Sequence, residues 1–144
     1  MADLDKFTKA ATQFRSMIEN ADWSKLTMEF EYFPFGSCGD ASILLAQYLI
    51  DEGFDTPTYV SAQLNLRDRN PGHAWLELDG VIIDITADGF DPKAPEVIVA
   101  ENSEWHEKFE ILDKHPAGIR EYHQDHIIRS LLAAYHEIIG LRAH

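Results

Sequence analysis

The chain has 144 residues, of which 25 are acidic and 12 basic, giving a formal net charge of −13. A length of this order makes one domain, 1–144, able to bury a core without disulfides or metals. The charge excludes proteins that grip nucleic-acid phosphates or an anionic membrane through clustered Lys and Arg, and the single cysteine excludes an internal disulfide and fits a reducing, cytoplasmic compartment.

The start, Met1-Ala2-Asp3-Leu4-Asp5-Lys6, lacks the basic opening and apolar stretch of a signal peptide. No apolar run is long enough to span a membrane. Residues 3–20 predict an amphipathic helix, with Leu4, Phe7, Ala11, Phe14, Met17 and Ile18 at three- and four-residue steps. Residues 21–37 are aromatic and irregular. Residues 38–52 predict a second helix that buries Ala41, Leu44, Leu45, Tyr48 and Leu49, with Ser37 and Asp40 as a weak capping box. Residues 57–66 suggest a strand and 67–72 a polar turn. Two strands, 73–78 and 81–86, flank Asp79-Gly80, a strong hairpin signal. Residues 87–95 read as a loop that includes Asp88 and Asp91, and 96–100 as a further strand. Residues 103–114 suggest a short helix carrying Trp105 and Phe109. Pro116-Ala117-Gly118 breaks the chain before a long helix over 119–141, with Tyr122, Ile127, Leu131, Leu132, Tyr135, Ile138 and Ile139 facing inward.

Cys38 lies in Phe35-Gly36-Ser37-Cys38-Gly39-Asp40, at the start of the second helix. Gly36 and Gly39 leave the backbone open beside the thiol. A thiol at a helix N-terminus meets the positive end of the helix dipole and unpaired N–H groups, both of which favour the thiolate. With a two-residue loop at Asp79-Gly80, Leu76 opposes Ile83, Trp75 opposes Asp84 and His73 opposes Thr86. One face of the hairpin then carries Ala74, Leu76, Leu78, Val81, Ile83 and Ile85. The other brings His73 and Asp84 together as diagonal neighbours. Such a set has the parts of a nucleophilic site. Cys38 attacks, His73 takes and returns the proton, Asp84 orients His73, and the Cys38 N–H supports the oxyanion.

In order and spacing, Cys38, His73 in His73-Ala74-Trp75-Leu76-Glu77 and Asp84 in Ile83-Asp84-Ile85-Thr86 resemble the transglutaminase-like superfamily, a branch of the papain-like cysteine enzymes. The resemblance covers about residues 33–90. It implies an α+β fold with a papain/transglutaminase-like core: N-terminal helices, the Cys-bearing one packed on a small antiparallel β-sheet, here followed by a long C-terminal helix. It also implies acyl transfer through a thioester on an amide or peptide bond, by hydrolysis, deamidation or transfer to an amine, with no cofactor. Where papain-like enzymes commonly carry Gln, six residues before the Cys, this chain has Tyr32. The second oxyanion donor is therefore left open between Tyr32 and Gln63, with Trp75 as a wall of the pocket. The alternative function is a non-catalytic protein- or peptide-binding module on the same fold. Of the C-terminal histidines His106, His115, His123, His126, His136 and His144, the pair His123 and His126 could share a ligand face, but no recognised zinc spacing results, and no metal is expected. The expected partner is a protein, peptide or small amide substrate, not nucleic acid or membrane. The acidic surface hints at a cationic one.

Overall fold

The computed structural model describes residues 3–140. Its first helix, α1 (Leu4–Glu19), starts at Asp3, whose carboxylate accepts the Lys6 N–H at 3.1 Å. Phe7, Ala11, Phe14, Met17 and Ile18 are buried as their spacing requires, while Leu4 stays exposed. Arg15 is buried in the same helix and takes a structural role described below. The aromatic stretch that follows contains two short 3-10 turns, Trp23–Lys25 and Met28–Phe30.

Next comes α2 (Cys38–Asp51), buried over most of its circumference from Ala41 to Leu49 and so the central helix of the core. Ser37 occupies its N-cap position, but the predicted capping box does not form. The Ser37 hydroxyl donates to Pro34 O at 3.0 Å, and Asp40 accepts the Thr27 hydroxyl at 2.7 Å. The first turn of α2 is thus tied to the preceding loop rather than capped by its own side chains.

The strands are β1 (Thr58–Gln63), β2 (Gly72–Leu78), β3 (Val81–Asp84), β4 (Ile98–Ala100) and β5 (Glu110–Pro116). They form one antiparallel sheet in the order β4-β3-β2-β1-β5. The β2–β3 turn has Asp79 at φ 52° and Gly80 at φ 77°. Positive φ at both central residues marks the hairpin turn whose twist matches the strands. The register is the predicted one, with Leu76 opposite Ile83 and Leu78 opposite Val81. Leu76, Leu78, Val81, Ile83 and Ile85 join the main core with α1, α2 and α5 (Asp125–Gly140). Trp75, Val60, Ala62 and Phe109 make a smaller cluster, packed with Leu64, Ile82, Phe90 and Trp105.

Further expectations are corrected, beginning with the strand expected over 81–86, which ends at Asp84. Residues 87–95 contain a short helix, α3 (Ala87–Phe90). Residues 103–114 hold α4 (Glu104–Glu107) and most of β5, a strand whose sequence lacks alternation. The helix expected over 119–141 is a 3-10 turn, Ile119–Glu121, followed by α5. Tyr122 is extended (φ −89°, ψ 151°) and breaks the two apart. Residue 141, His144 and the first two residues lie outside the described part. Among the described residues, no helix is long and apolar enough to cross a membrane.

Candidate active site

Asp84 ends β3 and is fully buried. A carboxylate there needs donors, since burial without them costs several kcal/mol, on the order of the price of an unpaired charge. It has three. Thr86 N–H donates to Oδ1 at 2.9 Å, and the Nε2 atoms of His73 and His106 meet Oδ2 at 2.8 and 2.7 Å. An ionised carboxylate only accepts, so both imidazoles present Nε2–H to it. Burial on its own would raise the Asp84 pKa. The hydrogen bonds from His106 and His73, with the charge on those rings, outweigh burial and hold it at about 2.

His73 is buried near the start of β2, and its commitment of Nε2 to Asp84 leaves Nδ1 for the other side of the ring. Cys38 shares a cavity wall with that ring, and its sulfur acts on it electrostatically. Burial pushes the His73 pKa down. Hydrogen bonds to Asp84 and Cys38, together with their charges, push it up further, to about 9. The ring therefore carries its proton at neutral pH beside the sulfur. Rings of Trp75, Phe90, Trp105 and Phe109, with centroids 5.3–5.9 Å from that of His73, surround it and keep water from the His–Asp bond.

His106 is the residue that sequence spacing did not bring to the site. It lies in α4, where Ser103 is the N-cap. Ser103 Oγ meets His106 Nδ1 at 2.6 Å. With Nε2 committed to Asp84, the bond between Nδ1 and the Ser103 hydroxyl fixes the orientation of the ring. Its only sequence signal is the pairing of a capping serine with a histidine three residues on. The edge-to-face packing of Trp105 and His73, and the bond from Trp105 Nε1 to Asp91 at 3.1 Å, lock α4 in place. Among the described residues, His73, Asp84 and His106 are also the group able to offer a metal ion three ligand atoms, all within 4.8 Å of one another. Both rings aim at one carboxylate oxygen at hydrogen-bond separations. His123 and His126 do not join such a group.

Cys38 and His73 line a cavity of about 380 Å³. One wall is the loop Pro34–Gly36, and another is Thr86 with Gly89 and Phe90 of α3. These two walls touch at Gly89, where a Cβ would lie 2.2 Å from Pro34 O. A third wall is the ribbon beyond β1 and β2. Asp88, expected as a loop residue, is the partner of the buried Arg15. The guanidinium bonds both Asp88 oxygens at 2.7 and 2.9 Å and the carbonyl of Ile85 at 2.8 Å. That clamp holds the segment following Asp84 against α1.

The remaining candidates fall away from the cavity. Tyr32 is 70% exposed, because its loop turns Phe30 and Phe33 inward instead. The Gln63 side-chain amide donates to Asn65 at 2.9 Å and to Glu110 at 3.0 Å, across to β5. Trp75 packs behind His73 and His106 rather than lining the cavity, and its buried Nε1 has no hydrogen-bond partner among the described residues. A different hydroxyl stands close to the start of α2: a Cβ on Gly39 would be 3.3 Å from Tyr59 Oη. Burial, with Cys38, Tyr122 and Asp40 nearby, raises the Tyr59 pKa, so it remains a neutral phenol.

Comparison with protein-family models, with curated proteins and with solved structures finds no match to this chain.

Proposed function

We propose that the protein is a cysteine-dependent acyl-transfer enzyme, built on a papain/transglutaminase-like core, that acts on an amide or peptide bond. The observation that carries this reading is the arrangement from the cavity to the core: Cys38 and His73 line the same cavity, and His73 is bonded to a buried, ionised Asp84. With its proton already held on His73 as an ion pair, the Cys38 sulfur attacks the substrate carbonyl carbon. The carbonyl oxygen becomes an oxyanion, next to the Cys38 N–H, in the first turn of α2 where N–H groups have no partner within the helix. Collapse breaks the carbon–nitrogen bond, and His73 gives the proton to the departing amine, leaving a thioester. Water or a second amine then adds to the thioester carbon, its proton passing to His73. The sulfur leaves as the thiolate beside the protonated His73. Asp84 keeps His73 in the tautomer with Nδ1 toward sulfur throughout.

The test is the rate of Cys38 alkylation by iodoacetamide as a function of pH, in the wild type and in His73→Ala. An ordinary thiol, with pKa about 8.5, is almost wholly protonated at pH 6. Rapid alkylation at that pH, slowed at least about tenfold by His73→Ala, is the expected result. A thiol that titrates like a free cysteine in both proteins removes the enzyme reading and leaves a binding module.

A further inference from the structure

The cavity in front of Cys38 differs in character from the surface around it. The chain carries 25 carboxylates against 12 basic side chains, yet among the described residues no carboxylate lines the cavity. Its wider walls are apolar, with Phe35, Leu64, Leu66, Pro71 and Phe90. Apart from Cys38 and His73 themselves, the one charged side chain lining it among the described residues is Arg69.

The position of Arg69 is set by the backbone. Beyond the sheet, the β1–β2 ribbon continues: Leu64 N–H donates to Pro71 O at 2.9 Å and Leu66 N–H to Arg69 O at 3.0 Å. The chain then reverses at Arg67-Asp68. Leu64, Leu66, Arg69 and Pro71 therefore form a two-stranded flap along one wall rather than a loose loop. Among the described residues, Arg69 forms no ion pair, although the protein has acidic side chains in excess. A guanidinium left unpaired over an apolar cleft fits one planar anion, which it binds through two parallel N–H bonds. A single guanidinium balances one negative charge. A phosphate dianion would ask for more donors than this cavity offers.

From these features we infer that the substrate is an amide carrying an apolar segment that ends in a carboxylate, with the apolar segment against Leu64, Leu66 and Phe90 and the carboxylate on Arg69. This inference rests on the acyl-transfer reading of Cys38 and specifies its substrate class. It reverses the expectation of a cationic substrate drawn from the net charge: no carboxylate of the described residues lines the cleft, and Arg69 does.

Two alkylating probes test it without knowledge of the natural substrate. One is 6-(iodoacetamido)hexanoate, an apolar chain ending in a carboxylate; the other is the uncharged N-hexyl iodoacetamide. Each reacts in the same way: the Cys38 sulfur bonds to the methylene carbon and iodide leaves. The quantity read is the ratio of the two rates, at low and high salt. The wild type is expected to prefer the anionic probe at low salt. That preference should fall roughly three- to fivefold in Arg69→Ala, the size of one partly exposed charge pair, and invert in Arg69→Glu. High salt should weaken it. Arg67→Ala, on the same turn but outside the cavity, should keep the wild-type ratio. Arg69 is exposed and contributes its carbonyl to the flap, which alanine retains, so the variant folds. A ratio unchanged by Arg69→Ala, or lowered equally by Arg67→Ala, overturns the substrate class while leaving the acyl-transfer reading intact. If neither probe reacts faster with wild type than with His73→Ala, both readings fall.

Discussion

Asp84 gathers three donors in a space closed to water, and two of them are imidazoles on different elements. Each ring then has a second task. His73 turns Nδ1 toward Cys38, while His106 turns Nδ1 to the Ser103 hydroxyl. The carboxylate is thus held from both sides, with only one side facing the cavity. His106 acts through Asp84 and touches neither the sulfur nor the cavity, so its role is positioning. Removing it leaves a buried carboxylate one donor short and an apolar void beside Trp75 and Trp105, the rings it packs against with centroids 4.7 Å away. His106→Ala is expected to lower unfolding stability by about 3 kcal/mol, measured by urea titration, as when one partner of a buried pair is deleted. His106→Gln, which can still present an N–H, should recover part of that loss. Equal stability of wild type and His106→Ala would mean that His73 and Thr86 alone satisfy Asp84.

At the level of elements, what was legible in the sequence is what short-range periodicity fixes. The stripe of α1, the apolar body of α2 and the register across Asp79-Gly80 follow from spacing alone, and that register is what puts His73 and Asp84 on one face. β5 was not legible, because Ile111 and Leu112 are adjacent and both exposed. The strand exists through its ladder with β1, a pairing no local pattern encodes. His106 and the Arg15–Asp88 clamp were hidden for the same reason, each joining residues far apart in the chain. Tyr32 was misread through its position relative to Cys38, which says nothing of which rings in 30–35 turn inward. A contact equally invisible in sequence is that of α3 with the Pro34–Gly36 loop at Gly89. Gly89→Ala drives a Cβ into the Pro34 carbonyl and the Phe35 nitrogen, both backbone, so neither can swing aside. It should cost roughly 2–3 kcal/mol, as overpacking does, and slow Cys38 alkylation by moving two cavity walls apart. An unperturbed melting temperature with unchanged alkylation would show that the two walls are not rigidly joined.

At the scale of the whole molecule, the site couples proton binding to folding. In the folded protein the His73 pKa is raised from 6.5 to about 9. Between those values the folded chain binds more protons than the unfolded one, so stability falls as pH rises. The contribution of His73 is complete below about 6.5 and gone above about 9. Asp84 has the opposite sign. Its pKa drops from 3.8 to about 2, so its contribution is complete above 3.8 and lost as pH falls toward 2. Together they set a stability plateau between about pH 4 and pH 6.5. A chain of net charge −13 also gains repulsion as pH rises, which would tilt the alkaline side by itself. That background is common to wild type and variants, so the informative quantity is a difference. Stability of wild type minus that of His73→Ala, from urea titrations across the range, should stay level up to about pH 6.5 and then decline toward pH 9. The slope should approach the limit of one proton, about 1.4 kcal/mol per pH unit. A difference that stays flat across that range would mean that His73 gains no affinity for its proton on folding. The charged ring beside Cys38, on which low-pH reactivity depends, would then be lost as well. The same unfolding curves therefore test, without any substrate, the electrostatic premise of the chemistry.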